Sequence, residues 1–214
     1  MLTLIKREFS AVLPFLALPL LFAFLVITAV ISQTVYRMPH MPSTGISSIM
    51  YKAFWMPIFI LPFISAGIGA QQMYSDRSRK ISAFLCTLTT SRRRILTARI
   101  IVGSSYFLLI LLAMAIAYAL LLARFPSLVP FDATFLIMLF ITAATVNLAC
   151  YSIGLLIGFS ANKFLPILGS ILFVAVLIAL VIVKGFGLQS NLILLVVAGA
   201  AMFRTWQKYS TTSL

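Results

Sequence analysis

Six times the chain runs through a strongly apolar stretch in which Asp, Glu, Lys, Arg and His occur only near the ends: residues 11–33, 53–72, 95–123, 133–159, 164–183 and 188–203. A helix needs about 20 such residues to cross roughly 30 Å of hydrocarbon. In water each of these stretches would have to be buried, and a chain of 214 residues that is 63% hydrophobic and 9% charged has too little polar surface to cover them. Lipid is therefore the solvent these segments fit, and the expected fold class is an all-α, multi-pass membrane protein in which residues 1–214 form a single transmembrane domain. The sixth segment is the shortest and is entered through Lys184-Gly185-Phe186-Gly187. It reads either as a span or as part of a re-entrant hairpin followed by a tilted exit helix.

The basic residues then set an orientation. Sixteen Lys and Arg stand against Glu8, Asp76 and Asp132, giving a formal net charge of +13. In a soluble chain that balance would point to nucleic acid, but in a membrane bundle it is how topology is written, so no nucleic-acid partner is expected. With both termini inside, twelve basic residues (Lys6, Arg7, Arg77, Arg79, Lys80, Arg92, Arg93, Arg94, Arg99, Lys163, Arg204, Lys208) fall on the inner side and four (Arg37, Lys52, Arg124, Lys184) on the outer. The excess places both termini in the cytosol. The 34–52 connection, with Pro39, Pro42 and Gly45, is a surface loop too small for an outer domain, and His40 there has no companion ligands for a metal. Cys86 and Cys150 fall in an inner loop and an apolar span, which argues against a structural disulfide.

Residues 1–10 carry Leu2, Ile5 and Phe9 at helical spacing with Lys6 and Arg7 turned elsewhere, the pattern of a short interfacial helix. The apolar run after it is too long for the core of a secretory signal, so it is read as the first span.

Chemistry is harder to find. No phosphate-binding Gly-Lys-Ser/Thr loop, no His-Glu-x-x-His pair and no acidic run is present, so no catalytic residue and no metal site is assigned, and the chain is not expected to be an enzyme. The near absence of ionisable groups inside the segments disfavours ion coupling by this chain alone. Milder polar residues remain in the third and fourth segments: Ser104, Ser105, Tyr106, Tyr118, Thr142, Thr145, Asn147, Tyr151 and Ser152. Such groups ordinarily hydrogen-bond a neighbouring helix or their own backbone. Asn147 and Tyr151, one turn apart, are the pair placed to line a translocation path. Gly154-Leu-Leu-Ile-Gly158 permits close helix approach without naming the partner, and Pro14, Pro19, Pro57, Pro62 and Pro166 can kink or break their segments.

The inner loop over residues 73–94 is the most informative stretch. Ile81, Phe84, Leu85 and Leu88 lie on one stripe of a short helix that nothing in the loop covers, and Ser91 is a good N-cap for a helix starting at Arg92. The stripe can rest on lipid head groups or dock into a groove of a soluble partner.

Leu85-Cys-Thr-Leu-Thr-Thr-Ser-Arg-Arg-Arg-Ile-Leu-Thr-Ala-Arg99 resembles the segment that follows the second span in ABC-2 type permeases, the membrane subunits of ATP-binding-cassette exporters. Ser91, Arg92, Ile95, Leu96 and Ala98 match its Ser-Arg-x-x-Ile/Leu-Leu-x-Gly/Ala-Lys pattern, with Arg99 at the Lys position. Lys80 to Ala83 stand where that family has Gly-Thr-Leu-Glu, and Thr89 where it has Pro. The resemblance implies six transmembrane helices, an N-terminal elbow helix over residues 1–10 and a cytosolic coupling helix between the second and third spans. Ile81, Phe84, Leu85, Leu88, Ser91 and Arg92 would then dock on the ATPase. It further implies two copies of a cytosolic ABC ATPase carrying ATP and Mg, no cofactor in this chain, and a homodimer or a heterodimer with a similar permease. The setting it implies is the cytoplasmic (inner) membrane of a prokaryote. An exporter without buried charge suits an apolar or amphipathic substrate. The alternative reading is a non-transporting membrane scaffold or assembly factor whose loop rests on the lipid bilayer.

Overall fold

The structure is a computed structural model, and it describes residues 59–75, 92–124, 133–159, 164–185 and 187–211. These form five helices: α1 over residues 59–75, α2 Arg92–Arg124, α3 Ala133–Ile157, α4 Phe164–Lys184 and α5 Leu188–Thr211. The expected interfacial helix 1–10, the first span 11–33, the start of the second at 53–58 and most of the 73–94 loop lie outside the described residues. Among the described residues, three helices are long and apolar enough to cross a membrane, over Arg94–Ile116, Thr134–Ile157 and Leu188–Thr211.

Among the described residues, the expected apolar segments from the third onward each lie in a helix. α2 starts at Arg92, as expected, three residues before the apolar run. Pro166 is the third residue of α4. In the first turn its missing N–H has no partner to lose, so it starts a helix and leaves the rest uninterrupted. The sixth segment is a single helix of 24 residues that continues through Phe203 to Thr211. Its entry needs only a tight turn: Gly185 adopts φ 77°, a left-handed conformation open to glycine, and its N–H bonds the Val181 carbonyl at 2.9 Å. The Ser190 hydroxyl donates to the Gly185 carbonyl at 2.7 Å, closing the turn from the other side.

α3 is the central helix. It is apolar all round, with two flanks buried against other helices and Ile137, Met138 and Ile141 left exposed near its start. One flank, with Leu139, Ala143, Tyr151 and Leu155, packs with α1 and α2 residues such as Leu61, Met73, Val102, Tyr106 and Phe107. The other, with Val146, Ala149, Cys150 and Ile153, packs with Val174, Leu177 and Val181 of α4 and Leu194, Ala198 and Ala201 of α5. α1 and α3 run in the same direction, since Ala66 meets Gly154 and Ala70 meets Gly158. α3 and α5 are also parallel: Thr145 bonds Asn191 at one level, and Phe159 meets Tyr209 at the other, 6.1 Å between ring centroids. α2 and α4 run the opposite way.

That arrangement gives the bundle two unlike ends. One end gathers Arg92, Arg93, Arg94, Arg99, Arg204 and Lys208, while Arg124 and Lys184 stand at the other. None of the three acidic residues falls among the described residues. Residues 75 and 92 both lie at the more basic end. The outward faces of the helices are apolar, among them Leu108, Leu112, Leu172, Val176, Val183 and Val196. Lipid tails suit such surfaces as well as a protein core does.

Candidate functional site

Most polar side chains within the helices satisfy themselves locally. Ser104, Ser105, Thr142 and Ser152 donate to carbonyls three or four residues back in their own helix, as does Thr205 in α5. Asn147 behaves the same way, its Nδ2 donating to the Ala143 carbonyl at 2.7 Å. It is fully enclosed, and its Oδ1 has no hydrogen-bond partner among the described residues.

Thr145 and Tyr151 instead make polar contacts between helices. Thr145 Oγ1 lies 3.0 Å from Asn191 Oδ1 and 2.9 Å from the Thr142 carbonyl, its one proton shared between the two acceptors, and the contact pins the start of α5 to the middle of α3. The second joins three helices through Tyr151. Its ring lies on α2 where Gly103 leaves room, since a Cβ on Gly103 would coincide with the phenol. Phe107, one turn on, flanks the ring at a centroid separation of 6.0 Å. The hydroxyl lies 2.8 Å from Gln72 Oε1 of α1 and 3.0 Å from the Arg99 carbonyl of α2.

A phenol has one proton, so it cannot donate fully to two acceptors at once. As placed, Gln72 Nε2 is buried and has no partner among the described residues. Turning the amide resolves the conflict: Nε2–H donates to the phenol oxygen, and the phenol proton goes to the Arg99 carbonyl. One side chain of α3 thereby holds the last turns of α1 and the first turns of α2 together.

The backbones approach closely beside this junction. A Cβ on Gly69 of α1 would stand 2.5 Å from the Tyr151 carbonyl oxygen, and one on Gly158 would stand 2.5 Å from that of Ala70. A Cβ on Gly154 would overlap the Ala66 carbonyl. The partner left open for the Gly154-x-x-x-Gly158 motif is therefore α1, which answers with Ala66, Gly69 and Ala70. Carbonyl oxygens and glycine faces in contact are how small residues let transmembrane helices pack without intervening side chains.

Of the residues singled out from sequence, Asn147 and Tyr151 are both in α3 and both at 0% exposure, enclosed by helices of the same chain. Ile81, Phe84, Leu85, Leu88 and Ser91 lie outside the described residues, and Arg92 is the first residue of α2. Sequence reasoning missed Gln72, Gly103 and the interior position of Arg99, whose side chain is 2% exposed within α2. Gln72 and Arg99 each flank the 76–91 connection, and their common partner is 52 residues or more further along the chain. Little signal was available, because Gln72 follows Gln71 and Arg99 follows Arg92, Arg93, Arg94 and Thr97, so neither stands out from a polar helix end.

Comparison of the chain with protein-family models, with curated proteins and with solved structures finds no match.

Proposed function

We propose that this chain is the membrane permease subunit of an exporter driven by a separate ATP-binding-cassette ATPase, moving an apolar or amphipathic substrate out of the cytoplasm. The reading starts from the resemblance of Leu85–Arg99 to ABC-2 permeases. The observation that carries it furthest is that the basic 76–91 connection joins two helix ends whose flanking residues, Gln72 and Arg99, converge on Tyr151 of the central helix. A force on that connection is delivered to α3, because α1 and α2 cannot shift relative to each other without breaking the phenol contacts. In this reading Ile81, Phe84, Leu85, Leu88, Ser91 and Arg92 meet the ATPase, two ATPase subunits carry ATP and Mg, and two permease chains enclose the path. The basic end faces the cytosol of a prokaryote, and Asn147 and Tyr151 reach the path in a conformation where α3 moves away from its neighbours.

The test is isolation of the tagged chain from its native host in detergent or nanodiscs, followed by mass spectrometry. A cassette ATPase recovered in roughly equal amount supports the exporter. Recovery of the chain alone, under conditions that keep other transporters intact, refutes it in favour of a non-transporting scaffold.

A further inference from the structure

The last two turns of α5 carry a feature that the exporter reading does not use. An open concavity of about 810 Å³ is lined by Arg204, Gln207, Lys208, Ser210 and Thr211 of α5 and by Leu156 of α3. Arg204 and Lys208 are one turn apart and project from the same face. Lys208 Nζ lies 5.5 Å from the centroid of the Phe159 ring, which sets the ammonium on the α3 side of the concavity. Arg204 is exposed.

Depth identifies the occupant. If Leu188 marks one hydrocarbon boundary, Lys208 stands about 30 Å along the helix, at the opposite boundary, and Arg204 about 24 Å along it, within snorkelling reach of the head groups. The same exposed stripe is apolar one turn earlier and beyond: Ala200 precedes Arg204 by four residues, Val196 (71% exposed) precedes Ala200 by four, and Leu192 (55% exposed) comes before that. Gly199 and Ala200 are both exposed and small, so little side chain stands out from α5 just above the cations. An apolar track ending in two cations and an amide donor has the shape and polarity of an amphiphile with an anionic head.

We infer that Arg204, Gln207 and Lys208 hold the phosphate of an anionic glycerophospholipid, whose acyl chain lies along Ala200, Val196 and Leu192. The guanidinium and the ammonium attract the phosphate oxygens, and the Gln207 amide adds a neutral donor. The site depends on α5 crossing the membrane and is independent of whether the chain is an exporter.

The experiment uses the full chain reconstituted in nanodiscs of equimolar phosphatidylcholine and phosphatidylglycerol, released into mild detergent and examined by native mass spectrometry. The wild type is expected to retain phosphatidylglycerol in preference to phosphatidylcholine. Each of Arg204→Gln and Lys208→Gln should weaken that retention about fivefold, and the pair about 25-fold, given the usual contribution of one cation near an anionic surface. Lys184→Gln, at the other end of the bundle, should leave it unchanged. Ala200→Trp, which keeps both charges but fills the track, should lower it as well. Equal retention of the two lipids by the wild type, or wild-type retention by the double variant or by Ala200→Trp, would overturn the assignment. So would loss of a co-purifying polypeptide, rather than of phosphatidylglycerol, from the double variant.

Discussion

Alanine at position 154 tests the packing on which the tri-helical junction depends. A methyl group there would overlap the carbonyl oxygen of Ala66, a backbone atom that cannot rotate aside, so α1 and α3 must separate. Such overpacking ordinarily costs about 1–3 kcal/mol, and a rigid backbone obstacle belongs in the upper half of that range. Against it stands the intrinsic gain of replacing glycine by alanine within a helix, up to about 1 kcal/mol. Gly199 supplies the control, because it too is inside a long helix but has nothing within 4 Å of the position a Cβ would take. The propensity gain is common to both substitutions and cancels between them, leaving the packing penalty of about 1–3 kcal/mol as the difference. Unfolding of the purified chain in dodecylmaltoside, by heat or by added dodecyl sulfate and followed by circular dichroism, should therefore rank Gly154→Ala below wild type and Gly199→Ala at or above it. Equal midpoints for the two alanine variants would refute the close approach of α1 to α3.

Removing the Tyr151 hydroxyl alone, as Tyr151→Phe, should cost about 0.6–1.7 kcal/mol, the span measured for hydrogen bonds between helices in a bilayer; combining it with Gln72→Leu in a double-mutant cycle should show positive coupling in the same unfolding assay. Gly103→Ala should also destabilise, because its methyl would occupy the place of the Tyr151 ring, and Tyr151→Leu in the same chain should recover part of the loss. Cys150, enclosed between α3, α4 and α5, should resist maleimide in the folded protein and react only after unfolding. For the exporter reading, Phe84→Asp or Leu85→Asp should uncouple hydrolysis by the partner ATPase from the permease while the unfolding midpoint stays within experimental error, and Arg93→Gln should do neither; substrate-stimulated hydrolysis unchanged in both acidic variants would count against docking through that stripe.

Hydrophobic length was the part of the fold most readily legible in the sequence. The ends of α2, α3 and α4 lie within three residues of the expected segments, because lipid imposes a minimum length that a linear reading can measure. The continuation of α5 to Thr211 was harder to read, since Arg204, Gln207 and Lys208 look like an exit from the membrane although they continue the helix. Partners were not legible at all. Gly154-x-x-x-Gly158 announced a close contact, but its answer in Ala66, Gly69 and Ala70 is carried on a helix some 88 residues away, and small residues there have no signature distinct from those elsewhere in the chain. Likewise Tyr151 stood out as polar, while its role depends on a cavity over Gly103 that is defined only once α2 and α3 are antiparallel.

That junction also decides how the candidate site residues can work together. Tyr151 and Asn147 share α3, yet Asn147 bonds only within its own helix and Tyr151 bonds across to two others. A displacement of α1 and α2 at the basic end therefore acts first on Tyr151, and reaches Asn147 one turn away through the rigid backbone of α3. Asn147 keeps its Oδ1 without a partner among the described residues, a cost of about 1–3 kcal/mol for a buried acceptor. The unmet acceptor of Asn147 and the phenol contacts of Tyr151, one turn apart on α3, are therefore terms of similar size, the first counting against this position of the helix and the second holding it there.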